Sequence, residues 1–182
     1  MTITPPRKPQ LFLAFGLLFG LSACATPSEP TLMVVAATQA ATTYPPPLRH
    51  AMCLRTVTGG EETNPLWVSK VDSQDFKAAL TGSMDNAGLI AGQTGCQYPT
   101  DVNVLGLSQP AIGLDMTVTS HVNYKVYDPA GAPILLETIS APFTATFSDS
   151  PIGFVRVKRA NEGSIRANIT QFLDKLAAWK RP

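Results

Sequence analysis

The clearest alternation in the chain runs from Leu114 to Val126. Leu114, Met116, Val118, Val122, Tyr124 and Val126 share one parity, broken only by Ser120, while Asp115, Thr117, Thr119, His121, Asn123 and Lys125 share the other. A period of two with one apolar and one polar set predicts an antiparallel strand with one face on a core and one in water. Asp128-Pro129-Ala130-Gly131 then predicts a turn, with Pro and Gly at favoured turn positions. The return strand opens with Ile134 and Leu136 and changes parity to Ile139, Ala141, Phe143, Ala145 and Phe147, which predicts a bulge near Glu137–Thr138. Upstream, Arg49–Thr58 alternates weakly and ends at Gly59-Gly60, and Tyr98–Leu107 reads as a further strand closed by Ser108-Gln109-Pro110. Leu66-Trp67-Val68 is expected to pack back against the domain.

Two segments carry the helical period instead. Asp72 and Ser73 offer caps, Asp75 sits in the first turn, and Phe76, Leu80, Met84 and Ala87 recur at helical spacing before Gly88, a left-handed stop. Gly82 weakens that helix by up to about 1 kcal/mol against Ala and suggests close approach to a sheet. A last helix is expected from Val157 or Ala160 to Ala178. Its stripe is Ile165, Ile169, Phe172, Leu176 and Trp179, flanked by Leu173, with Arg159, Glu162, Arg166, Asp174 and Lys175 on the solvated side. The order is β-α-β-β-β-α. It predicts an α/β (α+β) two-layer domain, a mostly antiparallel sheet of about four strands with two helices on one face.

The N-terminus follows a different rule. Arg7 and Lys8 precede an apolar run from Leu11 to Leu21, about 16 Å as helix and too short for a hydrocarbon core of roughly 30 Å. A basic region, a short apolar region and small residues before a cleavage point make a secretory signal peptide. The junction Leu21-Ser22-Ala23-Cys24 resembles the bacterial lipobox, and the resemblance implies a diacylglyceryl group (with palmitate as a typical acyl chain) on Cys24, the new N-terminal residue after cleavage. Residue 25 is Ala rather than the Asp that favours inner-membrane retention, so the resemblance implies an outer-membrane address on the periplasmic face. Residues 1–23 are then the signal peptide, 24–47 a tether rich in Pro, Thr and Ala, and 48–182 a single globular periplasmic domain. The Pro45-Pro46-Pro47 run would stiffen the tether, and Leu32–Ala37 is apolar enough to dock as a short strand.

Charge and composition narrow the possibilities. The whole chain carries +1; Arg7 and Lys8 account for two positive charges, so residues 24–182 carry −1. No basic stripe supports nucleic-acid binding, and 45% hydrophobic with 15% charged residues fits an ordered domain. Setting Cys24 aside leaves Cys53 and Cys96, an even pair for an oxidising compartment. A bridge over that span would stabilise by roughly 4 kcal/mol; two buried free thiols are the rival reading. His50 and His121 lie far apart without ligand-spaced company, so no metal and no cofactor is expected.

The layout as a whole is similar to small Gram-negative envelope lipoproteins, among them accessory lipoproteins of lipopolysaccharide assembly and of envelope transport. The run from Arg156 to Ile169 (Arg-Val-Lys-Arg-Ala-Asn-Glu-Gly-Ser-Ile-Arg-Ala-Asn-Ile) looks like a segment of that class. The resemblance implies a location and a partner-binding style, an envelope protein partner besides the membrane, and places no family residue on this chain.

Chemistry is sparse. A Ser-His-Asp triad needs a positioned His, yet His121 falls on the polar face of a strand, and no Gly-x-Ser-x-Gly elbow occurs. Gly59-Gly60 and Gly92–Gly95 lack the spacing of a phosphate loop. No hexapeptide repeats and no His-x4-Asp arrangement support an acyltransferase. Asn168-Ile169-Thr170 matches a glycosylation sequon by coincidence. The expectation is a non-catalytic binding or assembly subunit of outer-membrane biogenesis or transport, facing its partner with Thr117, Thr119, His121, Asn123 and Lys125. A lipid or glycolipid handling protein is the alternative, and an envelope enzyme is disfavoured.

Overall fold

The computed structural model describes residues 26–38, 43–64, 68–92 and 95–180. The expected lipobox and signal peptide, together with Leu66 and Trp67, lie outside the described residues. Among the described residues the elements are α1 (Pro30–Met33), β1 (Met52–Gly59), α2 (Ser73–Asn86), β2 (Tyr98–Ser108), β3 (Met116–Tyr127), β4 (Pro133–Ala145) and α3 (Gly153–Ala178), with a 3-10 turn at Pro46–Leu48.

The four strands stand in the order β1-β2-β3-β4. β1 and β2 are parallel, because α2 carries the chain back to the same end of the sheet, and β2-β3-β4 is an antiparallel meander. Cys53 at the start of β1 is bridged to Cys96 just ahead of β2, with the Cα atoms 5.5 Å apart. The α+β architecture, with both helices on one sheet face, is as the alternation implied. Tyr124 shows this directly: its ring stacks on Phe172 of α3 at 4.1 Å between centroids and meets Phe76 of α2 at 6.5 Å.

Helix α2 starts where its capping chemistry says. Asp72 accepts hydrogen bonds from the backbone N–H groups of Gln74 and Asp75, and Gly88 adopts φ +67° beyond its end. Burial of Phe76, Ala79, Leu80 and Met84 turns the helix onto the core. Gly82, however, faces the N-terminal arm and not the sheet: a Cβ there would lie 3.2 Å from Val34.

Besides the facing of Gly82, four expectations are corrected, and the fourth carries with it the burial of Glu162. β4 has no bulge at Glu137–Thr138; its pairing with β3 runs unbroken from Leu135 to Ala145, so Leu136 points to solvent, 64% exposed. Register shifts sit instead in β1 between Leu54 and Thr56, in β2 between Val104 and Gly106, and at the turn end of the β3–β4 pair, where Val126 faces Leu135 and Tyr127 faces Pro133. Leu114 and Phe147 lie beyond the strand ends, in loops, and are exposed despite their parity. α3 begins at Gly153, ahead of the expected Val157 or Ala160, because Ile152 caps it without a side-chain bond and leaves no capping signal to read.

The fourth concerns the arm. Residues 28–35 lie against the helices, with Ser28, Met33 and Val35 buried, and they form one helical turn followed by extended chain, not a strand. Val35 N–H donates to Ser83 Oγ at 2.9 Å and Asn86 Nδ2 donates to the Val35 carbonyl at 2.9 Å. The arm therefore makes a third layer, and α3 is covered on both sides. For that reason Glu162, expected in solvent, is buried: it accepts from the Glu29 N–H at 2.9 Å and lies 3.8 Å from Lys158 Nζ. Burial pushes its carboxyl above the ordinary range, against the pull of that N–H and of Lys158.

Candidate functional site

The sheet face turned away from the helices is open, and strand parity sets its composition. Thr117, Thr119, His121, Asn123 and Lys125 of β3 stand in one row there, as their shared parity requires. Cross-strand partners hold most of them. Thr117 and Thr144 hydroxyls are 2.8 Å apart, and Asn123 Nδ2 donates to Thr138 Oγ1 at 2.9 Å. His121 lies between two serines, with Nε2 3.1 Å from Ser108 Oγ and Nδ1 2.8 Å from Ser140 Oγ. Among the described residues no carboxylate is hydrogen-bonded to the ring: Asp115 instead accepts from the Phe147 N–H at 3.1 Å. Thr119 stands opposite Pro142 and Ser108.

The strongest electrostatic feature of this face was not legible in the sequence. Asp101 of β2 accepts from Arg55 Nε at 2.9 Å and from Thr56 Oγ1 at 2.7 Å, both on β1, and Arg55 Nη2 reaches its second oxygen. These hydrogen bonds, Arg55's first, with the charges of Arg55 and Lys125, hold its carboxyl at about 2 against an ordinary 3.8. The same guanidinium lies 4.7 Å over the Tyr127 ring. Beside the pair, Thr56, Thr58, Asn103, Asn123 and Lys125 outline a depression of roughly 200 Å³. Leu105 and Leu136, 56% and 64% exposed, stand as the large apolar members of an otherwise polar surface. Such a face can present hydrogen-bond donors and acceptors in a fixed pattern to a partner.

A second set of polar residues lies inside the domain. The Tyr124 hydroxyl donates to Asn168 Oδ1 at 2.9 Å, and Asn168 Nδ2 donates to the carbonyls of Ile139 and Ser120 at 3.0 and 3.3 Å. Ser164 Oγ donates to the Ala141 carbonyl at 2.9 Å and Ser120 Oγ to the Ser164 carbonyl at 3.0 Å. Ser120, the break in the apolar row of β3, is thus a strut to α3. One turn back, Asn161 Nδ2 donates to the Ser69 carbonyl at 2.7 Å, while its Oδ1 accepts from Gln109 Nε2 at 2.7 Å. The run singled out by resemblance, Arg156 to Ile169, is the stretch of α3 that carries these buried polar contacts.

Among the described residues no three His, Cys, Asp or Glu side chains gather as a metal site, and no helix is long and apolar enough to cross a membrane. No family model matches the chain, and no curated protein matches it in sequence. Among solved structures, a candidate lipoprotein from Caulobacter crescentus CB15 is similar at 16% identity and TM-score 0.47, over 71% of this chain and 93% of that one. A protein of the family DUF330 from Xanthomonas campestris is similar at 13% identity and TM-score 0.47, over 76% and 89%. A minor lipoprotein from Acinetobacter baumannii follows at 13% identity and TM-score 0.44, over 69% and 91%. At these scores the likeness assigns neither family nor function, and the reading of this chain rests on its own residues.

Proposed function

We propose that this protein is a lipid-anchored, non-catalytic envelope lipoprotein. In this reading it is held on the periplasmic face of the outer membrane and acts as a binding or assembly subunit in outer-membrane biogenesis or transport. The observation that carries the reading is the junction Leu21-Ser22-Ala23-Cys24 behind a basic and then an apolar region, since two or more acyl chains on one sulfur-bearing residue hold a protein durably at a membrane. The open sheet face supports the binding role: it is broad, polar, preordered by cross-strand hydrogen bonds, and left uncovered by the protein's own helices. The alternative, lipid handling, has weaker support, because the groove that Leu32, Phe143, Ala145 and Gly163 line together with Asp149, Arg159, Glu162 and Arg166 is half charged and encloses about 200 Å³, less than the roughly 300 Å³ at which drug-sized ligand sites begin.

The test is direct. Metabolic labelling with palmitate in a Gram-negative host is expected to mark the wild type and not Cys24→Ala, and only the wild type is expected to stay with membranes through high-salt and carbonate washing. Retention of Cys24→Ala under those washes would refute the anchor. Photocrosslinkers at Thr117, His121 and Lys125 in living cells are expected to capture a stoichiometric envelope protein; capture of lipid alone would move the reading to the alternative.

A further inference from the structure

Five of the nine large apolar side chains exposed among the described residues stand at one end of the molecule: Ile112, Leu114, Phe147, Ile152 and Phe154, at 88%, 75%, 52%, 48% and 40% exposure. They come from two loops and the first turn of α3. Arg156, itself buried, ties these segments together by donating to the Ser150 carbonyl at 2.6 Å and the Gly113 carbonyl at 3.3 Å, and it lies 5.3 Å over the Phe147 ring. The Phe147 N–H to Asp115 bond adds a second link between the loops. Five exposed large apolar residues on a braced tip are unlike the singly scattered ones that any surface carries.

The chain's own N-terminal arm enters on the side of the domain where α3 begins. Ser28 Oγ is 3.2 Å from Ser69 Oγ, and Ser69 is hydrogen-bonded to Gln109 and Asn161. Glu29 is paired with Lys158 at 2.6 Å. Residue 28 is therefore pinned beside the α3 segment 158–162, about 8–14 Å along the axis from Gly153 at the tip. Whatever its conformation, the chain from Cys24 to Ser28 spans at most about 14 Å. Along the α3 axis, a lipid on Cys24 therefore lies within about 28 Å of this end of the domain.

We infer that the tip carrying Ile112, Leu114, Phe147, Ile152 and Phe154 is a membrane-contact surface that seats the domain on the phospholipid surface holding its anchor. This rests on the lipidation of Cys24 and deepens it: the anchor would set the distance, and the tip the orientation, leaving the polar sheet face free for a partner. Interfacial apolar groups sit about 5–10 Å into the headgroup and acyl boundary, within reach of side chains on such loops.

The full chain is expressed in a Gram-negative host, purified with its lipid, and reconstituted in vesicles of phosphatidylethanolamine and phosphatidylglycerol. Leu114→Cys and Leu136→Cys variants each carry one fluorophore; both sites are exposed, and Leu136 pairs opposite Lys125, about 30 Å along the sheet from Met116. The expected result is several-fold stronger quenching by nitroxide-bearing lipid at 114 than at 136, with 114 protected from aqueous iodide. Equal iodide access at both positions in anchored protein overturns the membrane contact while leaving the anchor standing. Protection at 114 without lipid quenching overturns it too, and shows a protein covering the tip. The intact mass, read before labelling, separates the remaining case: a chain without its diacylglyceryl group that fails to bind vesicles overturns both the anchor and the tip.

Discussion

Asn168 shows how much one buried side chain can hold. It spends its oxygen on Tyr124 and its nitrogen on the carbonyls of Ile139 and Ser120, linking α3 to two strands. Removing one partner of a buried bond strands the others without water, at about 1–3 kcal/mol per group. Asn168→Ala is expected to lower urea stability by about 2–4 kcal/mol and Tyr124→Phe by about 1–2 kcal/mol, with the double variant losing less than the sum. Additive losses would show that the pair is not coupled. On the open face, Asp101 makes a claim about pH. Its folded carboxyl sits at about 2, below the ordinary 3.8, so its stabilising contribution is complete above the ordinary value and disappears as pH falls through about 2. Thermal unfolding compared at about pH 5 and pH 2.5 is expected to fall further for the wild type than for Asp101→Asn, because the variant has no proton to take up there. In the sequence, Asn168 passes for a sequon and Asp101 for an ordinary strand residue. Neither partner is a near neighbour along the chain, so spacing gives no sign of them.

At the scale of elements, the helices and the meander were legible, and the N-terminal arm was not. α2 announces itself through Asp72, its apolar period and Gly88; β3 does so through strict alternation. Residues 28–35 have no comparable period, since one helical turn followed by extended chain is too short to show any. Their docking is a tertiary outcome: Met33 and Val35 fill a surface that α2 and α3 leave open, and Gly82 leaves room for Val34. Met33→Ala is therefore expected to destabilise the domain by about 2–5 kcal/mol, as for a buried core Met, measured by urea unfolding of the full chain. An unchanged midpoint would return this segment to a mere tether. The late start read for α3 and the bulge read into β4 have one cause: without a capping residue or a known pairing register, the parity of apolar residues cannot say where an element begins or which way Leu136 turns.

For the whole molecule, the Cys53–Cys96 bridge closes the span containing α2 and joins the entries of the two parallel strands. A parallel pair needs a long crossover, and a bridge across it restricts the unfolded chain most where closure is costly. Reduction is expected to lower stability by about 2–4 kcal/mol, read as a shift of the urea midpoint with reductant. Cys53→Ser should start at the lower value and not respond to reductant; a wild type that does not respond either would remove the bridge from the account of stability.

The sequence by itself determined the local rules. Alternation set the faces of β3, capping and period set α2, the even cysteine pair allowed the bridge, and the pattern at Leu21–Cys24 marked a lipobox-like junction. Each of these is settled within a few residues or by pairwise chemistry. Only the tertiary structure decided which groups meet across layers: Asp101 with Arg55, Asn168 with Tyr124, Glu162 beneath the arm, and the exposed apolar loops gathered beside the point where the arm enters. The physical reason is that these contacts depend on strand register and on the stacking of layers, which arise from burial of the core as a whole and leave no periodic trace along the chain.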